Sequence, residues 1–442
     1  MIRLQKAASP LRGGLSVPGD KSVSHRAVIF GALADGRTRI MNFLSGADCL
    51  STIDCFRRLG IAIEADRGSG EVTVFGRGLH GLLPSSDPQE LFTGNSGTTT
   101  RILCGVLAAQ PFTTILSGDE SICRRPMRRV IEPLTQMGAE IVGLRQENCA
   151  PLRISGSPLH GITWRSSVAS AQVKSAVLCA GLYADGASTV IEPALSRDHS
   201  ERMLQALGAS VTTERREDGF YITIEPADRL STRDIEVPGD ISSAAYFITA
   251  ALLVPGSELL LKNIGVNPTR SGILEVLRRM GGDITALNER NSGGEPVCDL
   301  LVRHSALHGT VIEGELIPTL IDELPVIAVA AAAAEGQTVI HDAAELRVKE
   351  SDRIASVTEN LLSMGCRAEA AADGMIIEGG RPLSGALIRC RDDHRIAMSF
   401  AVASLIAEGE TTLDNERCVA ISYPDFFADM ASLRVSASHP RS

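Results

Sequence analysis

"SVPGDKS" (residues 16–22) and "EVPGDIS" (residues 236–242) are near copies about half the chain apart. Each shortly precedes an apolar stretch that reads as helix, "AVIFGALADG" (from 27) after the first and "AAYFITAALLVPG" (from 244) after the second. A Pro-Gly turn can recur by chance, but each of these copies opens a series of three longer repeats. The two segments therefore read as strands crossing between two lobes of similar fold.

The repeat is an apolar helix, a turn, a short strand, a second helix ending near glycine, and an alternating strand. The first copy is "AVIFGALADGRTRIMNF…STIDCFRRLGIAIEA", and further copies begin at residues 100, 174, 244 and 327. A weaker sixth runs from "AMSFAVASLIAEGETTLDN" to "PDFFADMASLRV" (397–435). Gly60, Gly138, Gly208, Gly281 and Gly365 recur roughly every 70–85 residues, as helix stops needing positive φ would. The strands that follow alternate ("AEIVGL", "ASVTTE"), which buries one face. The first helix of each repeat is apolar almost all round ("VIAVAAAAA" most plainly), so it is expected to be buried on every side. The expected division is one lobe of 20–239 and one of 1–19 plus 240–442, hinged at 18–20 and 238–240.

At 442 residues the chain is too long for one ordinary core. Its 44 % hydrophobic and 22 % charged residues are those of a globular protein. A net charge of −10 disfavours nucleic acid as a partner, so any anionic ligand needs a local concentration of Lys and Arg. The longest apolar run, "PVIAVAAAAA" (325–334), is too short to cross a membrane. No apolar leader opens the chain, and the ten cysteines lack CxxC or His-flanked spacing. A cytoplasmic location, with reduced thiols and no metal site, is the expectation.

The six buried helices begin at "GDKSVSHR" (19–26), "GNSGTTTR" (94–101), "SSVASAQVK" (166–174), "GDISSAA" (239–245), "IPTLIDELP" (317–325) and "RDDHRIAM" (391–398). Cations are the wrong sign for the positive end of a helix dipole, so Lys21 and Arg26 at the first opening suggest a bound anion. Helix starts, with their unpaired N–H groups, are ready anion sites. Ser22 and Arg26, four apart, share a helix face. "GNSGTTTR" offers close backbone approach and donors but lacks the Walker GK[ST]. "SICRRPMRR" (121–129) supplies arginines for a carboxylate or phosphate. "ELRVKESDRI" (345–354) and "RDDHR" (391–395) fit either a salt-bridged solvent face or a site. Asp322 reads as a helix cap or, near reacting groups, a general base. No HExxH and no GxSxG elbow is present.

Taken together, "GDKSVSHR", "GNSGTTTR", "SAQVKSA", "IDELP", "RVKESDR" and "DDHRIAMSF" resemble, in order, the motif set of the 5-enolpyruvylshikimate-3-phosphate synthase family, over residues 12 to 430. The resemblance implies an α/β (α+β) fold of two lobes, each of three βαβαββ repeats around buried parallel helices, of the inside-out α/β barrel type. It implies transfer of the enolpyruvyl group of phosphoenolpyruvate to the 5-hydroxyl of shikimate 3-phosphate, in the shikimate pathway, by a monomer that needs no cofactor. By the same resemblance Lys21, Ser22, Arg26, Ser170, Gln172 and Arg197 hold shikimate 3-phosphate. Gly97, Arg125, Arg353 and Arg395 hold phosphoenolpyruvate, with Lys21 and Gln172 reaching it too. Asp322 is the base at the 5-hydroxyl, Lys349 its neighbour, and Glu350 the proton donor to the enol carbon.

Two departures stand out. Ile421 occupies a position where many members carry a lysine, removing one expected phosphoenolpyruvate contact. "GDKS", "RDHSE" (197–201), "SAQVK" and "NPTR" (267–270) resemble a subgroup often tolerant to glyphosate, yet Gly97 stands where a tolerant form has Ala. The rival reading is the sister transferase acting on UDP-N-acetylglucosamine. That enzyme needs a cysteine on the loop before the Arg-Pro pair, and Cys123 lies too close to Arg125 for that pattern. A binding or scaffold protein that had lost catalysis is opposed by the retained Asp322, Lys349 and Glu350.

Overall fold

Mostly apolar helices build the centre of each lobe, Ala-rich most plainly in the C-lobe. The structure is a computed structural model and describes residues 1–66 and 68–433; the last two residues of the sixth repeat, 434–435, lie outside them. Six inner helices, here α1 to α6, span Lys21–Leu33, Gly97–Leu107, Ala171–Gly181, Ile241–Leu253, Leu324–Ala333 and His394–Ser404. In α4 every residue is buried, and in α5 every residue from Leu324 to Ala332. Alanine favours the helix and adds little bulk, while Pro325 is tolerated in the first turn, where an N–H is unsatisfied anyway. At Gly105 of α2 a Cβ would lie 2.0 Å from the carbonyl oxygen of Ala176 on α3, so glycine is what lets those two helices approach.

Each repeat wraps its inner helix with a sheet and an outer helix. Among the described residues there are five four-stranded sheets and one of three strands. In the repeat that opens with α2, strand Gln89–Phe92 pairs parallel with Thr113–Ser117, which pairs antiparallel with Leu152–Ser155 and so leads to Glu140–Gly143. The sixth sheet takes its antiparallel strand from the start of the chain, where Ile2–Gln5 pairs with Glu410–Leu413. The repeating glycines close the outer helices with φ of 80°, 100°, 92°, 94° and 83° at Gly60, Gly138, Gly208, Gly281 and Gly365.

By contact the chain divides into two compact lobes: the N-lobe, 19–238 with 291–295, and the C-lobe, 1–18, 239–290 and from 296 on. Each has its own continuous apolar core. Strand Ile235–Glu236 lies parallel to Asp35–Met41 in the N-lobe, and Arg12–Leu15 parallel to Glu258–Gly265 in the C-lobe. The two Val-Pro-Gly-Asp segments follow these strands and are held alike, Asp20 N–H donating to Pro238 O (2.8 Å) and Asp240 N–H to Pro18 O (2.9 Å). All ten cysteines are free thiols. Among the described residues no helix is long and apolar enough to cross a membrane, and no cluster of His, Cys, Asp or Glu is arranged to hold a metal ion.

Candidate active site

In the N-lobe most of the residues singled out from sequence lie at or near the starts of α1, α2 and α3, while Arg197 stands just before the outer helix His199–Ala206. Asp20 caps α1 by accepting from Val23 N–H (2.9 Å). One turn on, Arg26 is buried, its Nε donating to Ser200 Oγ (2.7 Å), one terminal nitrogen to Ser22 O (3.0 Å) and the other to Ser175 Oγ (2.9 Å). Arg26 thus ties α1 to α3 and to the outer helix three residues beyond Arg197. Ser96 and Ser170 cap α2 and α3. From the first turn of α2, Arg101 donates to Gln172 Oε1 on α3 (2.7 Å), and Gln172 Nε2 donates to Thr98 Oγ1 (3.1 Å). Arg125, exposed, donates to Asn95 Oδ1 (3.0 Å) and Ser121 Oγ (3.1 Å). Gly97 lies between the two arginines: a Cβ there would sit 2.8 Å from a terminal nitrogen of Arg101 and 3.4 Å from one of Arg125. Lys21, half-exposed, pairs with Asp48.

In the C-lobe the cluster is denser and built from opposite charges. Arg353, fully buried at the first position of its helix, donates from Nε to Asp393 Oδ2 (2.8 Å) and from its terminal nitrogens to Glu350 Oε2 (2.5 Å) and Asp322 Oδ1 (3.4 Å). Arg395 donates to Asp322 O (3.2 Å) and has its other terminal nitrogen 3.8 Å from Asp322 Oδ2. Lys349 Nζ stands 3.9 Å from Asp322 Oδ1 and 2.8 Å from Glu345 Oε1. Asp393 caps α6, accepting from Arg395 N–H (2.9 Å). It follows Arg391 and Asp392, both left-handed at φ 53° and 57°. Such backbone is costly without glycine, and Asn415 Nδ2 donating to Asp392 Oδ1 (2.6 Å) helps to fix it.

The charges perturb one another. Burial pushes the Glu323 carboxyl above its ordinary range, against the pull of Arg270 and Arg395. Burial would also raise Asp393, but the Arg353 hydrogen bond and charge outweigh it and hold that carboxyl below its usual value. Arg395 is lowered by burial and raised more by Asp322, Glu323 and other anions, so it stays charged. Burial and the Arg395 charge bring His394 down to about 4, and burial with Lys21 and Arg26 takes His25 well below 6.5. Both imidazoles are therefore neutral at pH 7. Arginines fixed beside hydroxyls and amides can bind phosphate or carboxylate; carboxylates fixed beside arginines can move protons next to a bound anion.

The family profile described as EPSP synthase (3-phosphoshikimate 1-carboxyvinyltransferase) matches residues 5–430. The chain belongs to the EPSP synthase family. A relative from Brevibacillus brevis named 3-phosphoshikimate 1-carboxyvinyltransferase is 55 % identical over 426 residues, 96 % of this chain and 98 % of the relative. The crystal structure of EPSP synthase from Acinetobacter baumannii superposes with a TM-score of 0.91 at 43 % identity, covering 98 % of this chain and 97 % of that one. The enolpyruvyl transferase NikO from Streptomyces tendae shares the fold, with a TM-score of 0.76 at 18 % identity and coverage of 98 % and 96 %. Membership makes the chain a transferase of the EC 2.5.1 class with the two-lobed inside-out α/β fold. The rival reading as a UDP-N-acetylglucosamine transferase is not favoured.

Against the sequence expectations, two local details change. Asp322 does not cap α5: the cap position is Glu323, whose side chain makes no capping bond, and Asp322 turns to Arg353 and Arg395 instead. The "ELRVKESDRI" segment is a salt-bridged helix start, with Arg347 donating to Asp352 (2.8 Å), yet its Arg353 is buried rather than solvated. Ile421 is exposed at the end of a short 3-10 helix (Arg417–Ile421). Sequence reasoning did not single out Arg101, Glu323 or Arg270 as site residues. Arg101 ended a quoted motif, and Glu323 adjoins Asp322, but nothing local distinguishes either from an ordinary helix-start charge.

Proposed function

We propose that the residues of these clusters bind shikimate 3-phosphate and phosphoenolpyruvate for the family's reaction. The enolpyruvyl group passes from phosphoenolpyruvate to the 5-hydroxyl of shikimate 3-phosphate, releasing phosphate, in the shikimate pathway toward aromatic amino acids. Lys21, Ser22, Arg26, Ser170, Gln172 and Arg197 hold shikimate 3-phosphate. Lys21, Gly97, Arg125, Gln172, Arg353 and Arg395 hold phosphoenolpyruvate, Gly97 by leaving room between Arg101 and Arg125. The single observation that carries the reading is the convergence of Arg353, Arg395 and Lys349 on one carboxylate, Asp322. A base beside three cations is also beside the place where a trianionic substrate would sit.

In this reading Asp322 accepts the proton of the 5-hydroxyl while Glu350 protonates the methylene carbon of phosphoenolpyruvate. The adjacent carbon becomes electrophilic, and the hydroxyl oxygen adds to it as a tetrahedral adduct. The C–O bond to phosphate then breaks; phosphate leaves with a proton from Asp322, and the methyl group returns its proton to Glu350, so atoms and charges balance. Lys349 and the arginines offset the charge that builds up on the phosphate oxygens. No metal or organic cofactor enters, because side chains supply both charge neutralisation and proton transfer. Monomeric, cytoplasmic action is part of the reading.

The direct test is phosphate release on mixing both substrates, with UDP-N-acetylglucosamine replacing shikimate 3-phosphate as control. Release only with shikimate 3-phosphate supports the reading; release only with the control refutes it, as does release with neither.

A further inference from the structure

Glu323 is a buried carboxylate beside the proposed base that no step above uses. It begins α5, but its side chain turns away from the cap and reaches two other inner helices. Ser242 Oγ, in the first turn of α4, donates to Glu323 Oε1. The same hydroxyl accepts from a terminal nitrogen of Arg270 (3.0 Å), which also donates to Asp240 Oδ1 (3.0 Å). From α6, the terminal nitrogen of Arg395 that donates to Asp322 O lies 3.6 Å from Glu323 Oε1. One carboxylate oxygen therefore joins the starts of all three inner helices of the C-lobe.

The consequence lies in what Arg395 does not do. Arginine prefers to meet a carboxylate with two parallel N–H donors. Arg395 sits within reach of Asp322, yet its nearest approach to that carboxylate is 3.8 Å, while its other arm donates to the Asp322 carbonyl and lies 3.6 Å from Glu323. Were that arm released, a two-pronged pair with Asp322 would consume both the proposed base and a phosphoenolpyruvate ligand at once.

We propose that Glu323 is a positioning residue which, braced by Ser242, holds Arg395 open for phosphoenolpyruvate and off the Asp322 carboxylate. This rests on the reading of Arg395 as a phosphoenolpyruvate ligand. Glu323→Ala is expected to raise KM for phosphoenolpyruvate about tenfold or more, with KM for shikimate 3-phosphate within about twofold. Glu323→Gln keeps an acceptor for both Ser242 and Arg395 and should recover most of the loss. A purely structural role would move both KM values and would be visible in the melting temperature.

Arg395→Ala is the control. If it raises KM for phosphoenolpyruvate and Glu323→Ala does not, the positioning role is wrong. If Arg395→Ala leaves that KM unchanged, the ligand assignment itself is wrong. Should Glu323→Ala fail to fold, Ser242→Ala decides: a selective rise in the phosphoenolpyruvate KM supports the role, and wild-type values overturn it.

Discussion

The three arginines described in each cluster are fixed by opposite kinds of partner in the two lobes. In the N-lobe, Arg26, Arg101 and Arg125 are held by serine hydroxyls, a backbone carbonyl and side-chain amides. In the C-lobe, Arg353, Arg395 and Arg270 are held by Asp393, Glu350, Asp322, Glu323 and Asp240. Neutral partners orient a guanidinium without cancelling its charge, which suits recognition of an anion. Carboxylate partners cancel part of the charge but place proton-transfer groups within reach of it, which suits chemistry. The contrast is one of partners, not of fold, since both lobes are three copies of the same repeat.

The largest effect should fall where charge pairing and chemistry coincide. Asp322→Asn is expected to lower kcat by three to four orders of magnitude, about 4–5.5 kcal/mol of transition-state stabilisation, with the melting profile retained. Wild-type turnover would remove Asp322 from the reaction. Next, Arg353→Ala strips a buried guanidinium from Asp393, itself buried, and from Asp322. Breaking a buried pair from one side costs about 3–4 kcal/mol, to be read by denaturant unfolding. A loss below about 1 kcal/mol would place that pair among weak surface bridges and blur the contrast.

Arg125→Ala tests the other side. Its partners Asn95 and Ser121 return to water at little cost, so stability should hold while KM for phosphoenolpyruvate rises about 10- to 100-fold. Loss of stability without a change in KM would make Arg125 structural. The smallest effect concerns the neutral imidazoles that both lobes keep at an inner helix start. Unfolded His394 takes up a proton below about 6.5, but the folded protein only below about 4. Stability is therefore lost as pH falls between those values, about 2 kcal/mol at pH 5 from this residue. His25 acts in the same direction, whereas Glu323, raised when folded, opposes it. His394→Gln should flatten the dependence of melting temperature on pH; an unchanged slope would mean that the carboxylates around it keep the imidazole charged.

Much of this was legible before folding. The near-identical "SVPGDKS" and "EVPGDIS", the five glycines and the largely apolar inner helices announce repeated units, because helix stops and burial leave marks at fixed spacing. Most of the candidate residues are legible by motif. Their partners are not. Ser175 and Ser200 lie 149 and 174 residues from Arg26, and Asp393 lies 40 from Arg353. In each case an unremarkable serine or aspartate acquires its role only from what it meets.

Sequence alone determined the repeat and the buried helices, since periodicity and turn chemistry are local properties of the chain, and its motifs carried the resemblance to the family. Tertiary structure decided which cations stay bare of carboxylates and which share them, that Asp322 faces Arg353 and Arg395 rather than capping its helix, and that Glu323 reaches Ser242. The reason is physical. An ion pair or a buried hydrogen bond depends on distance and desolvation, and both are set by how helix starts far apart in the chain are packed together.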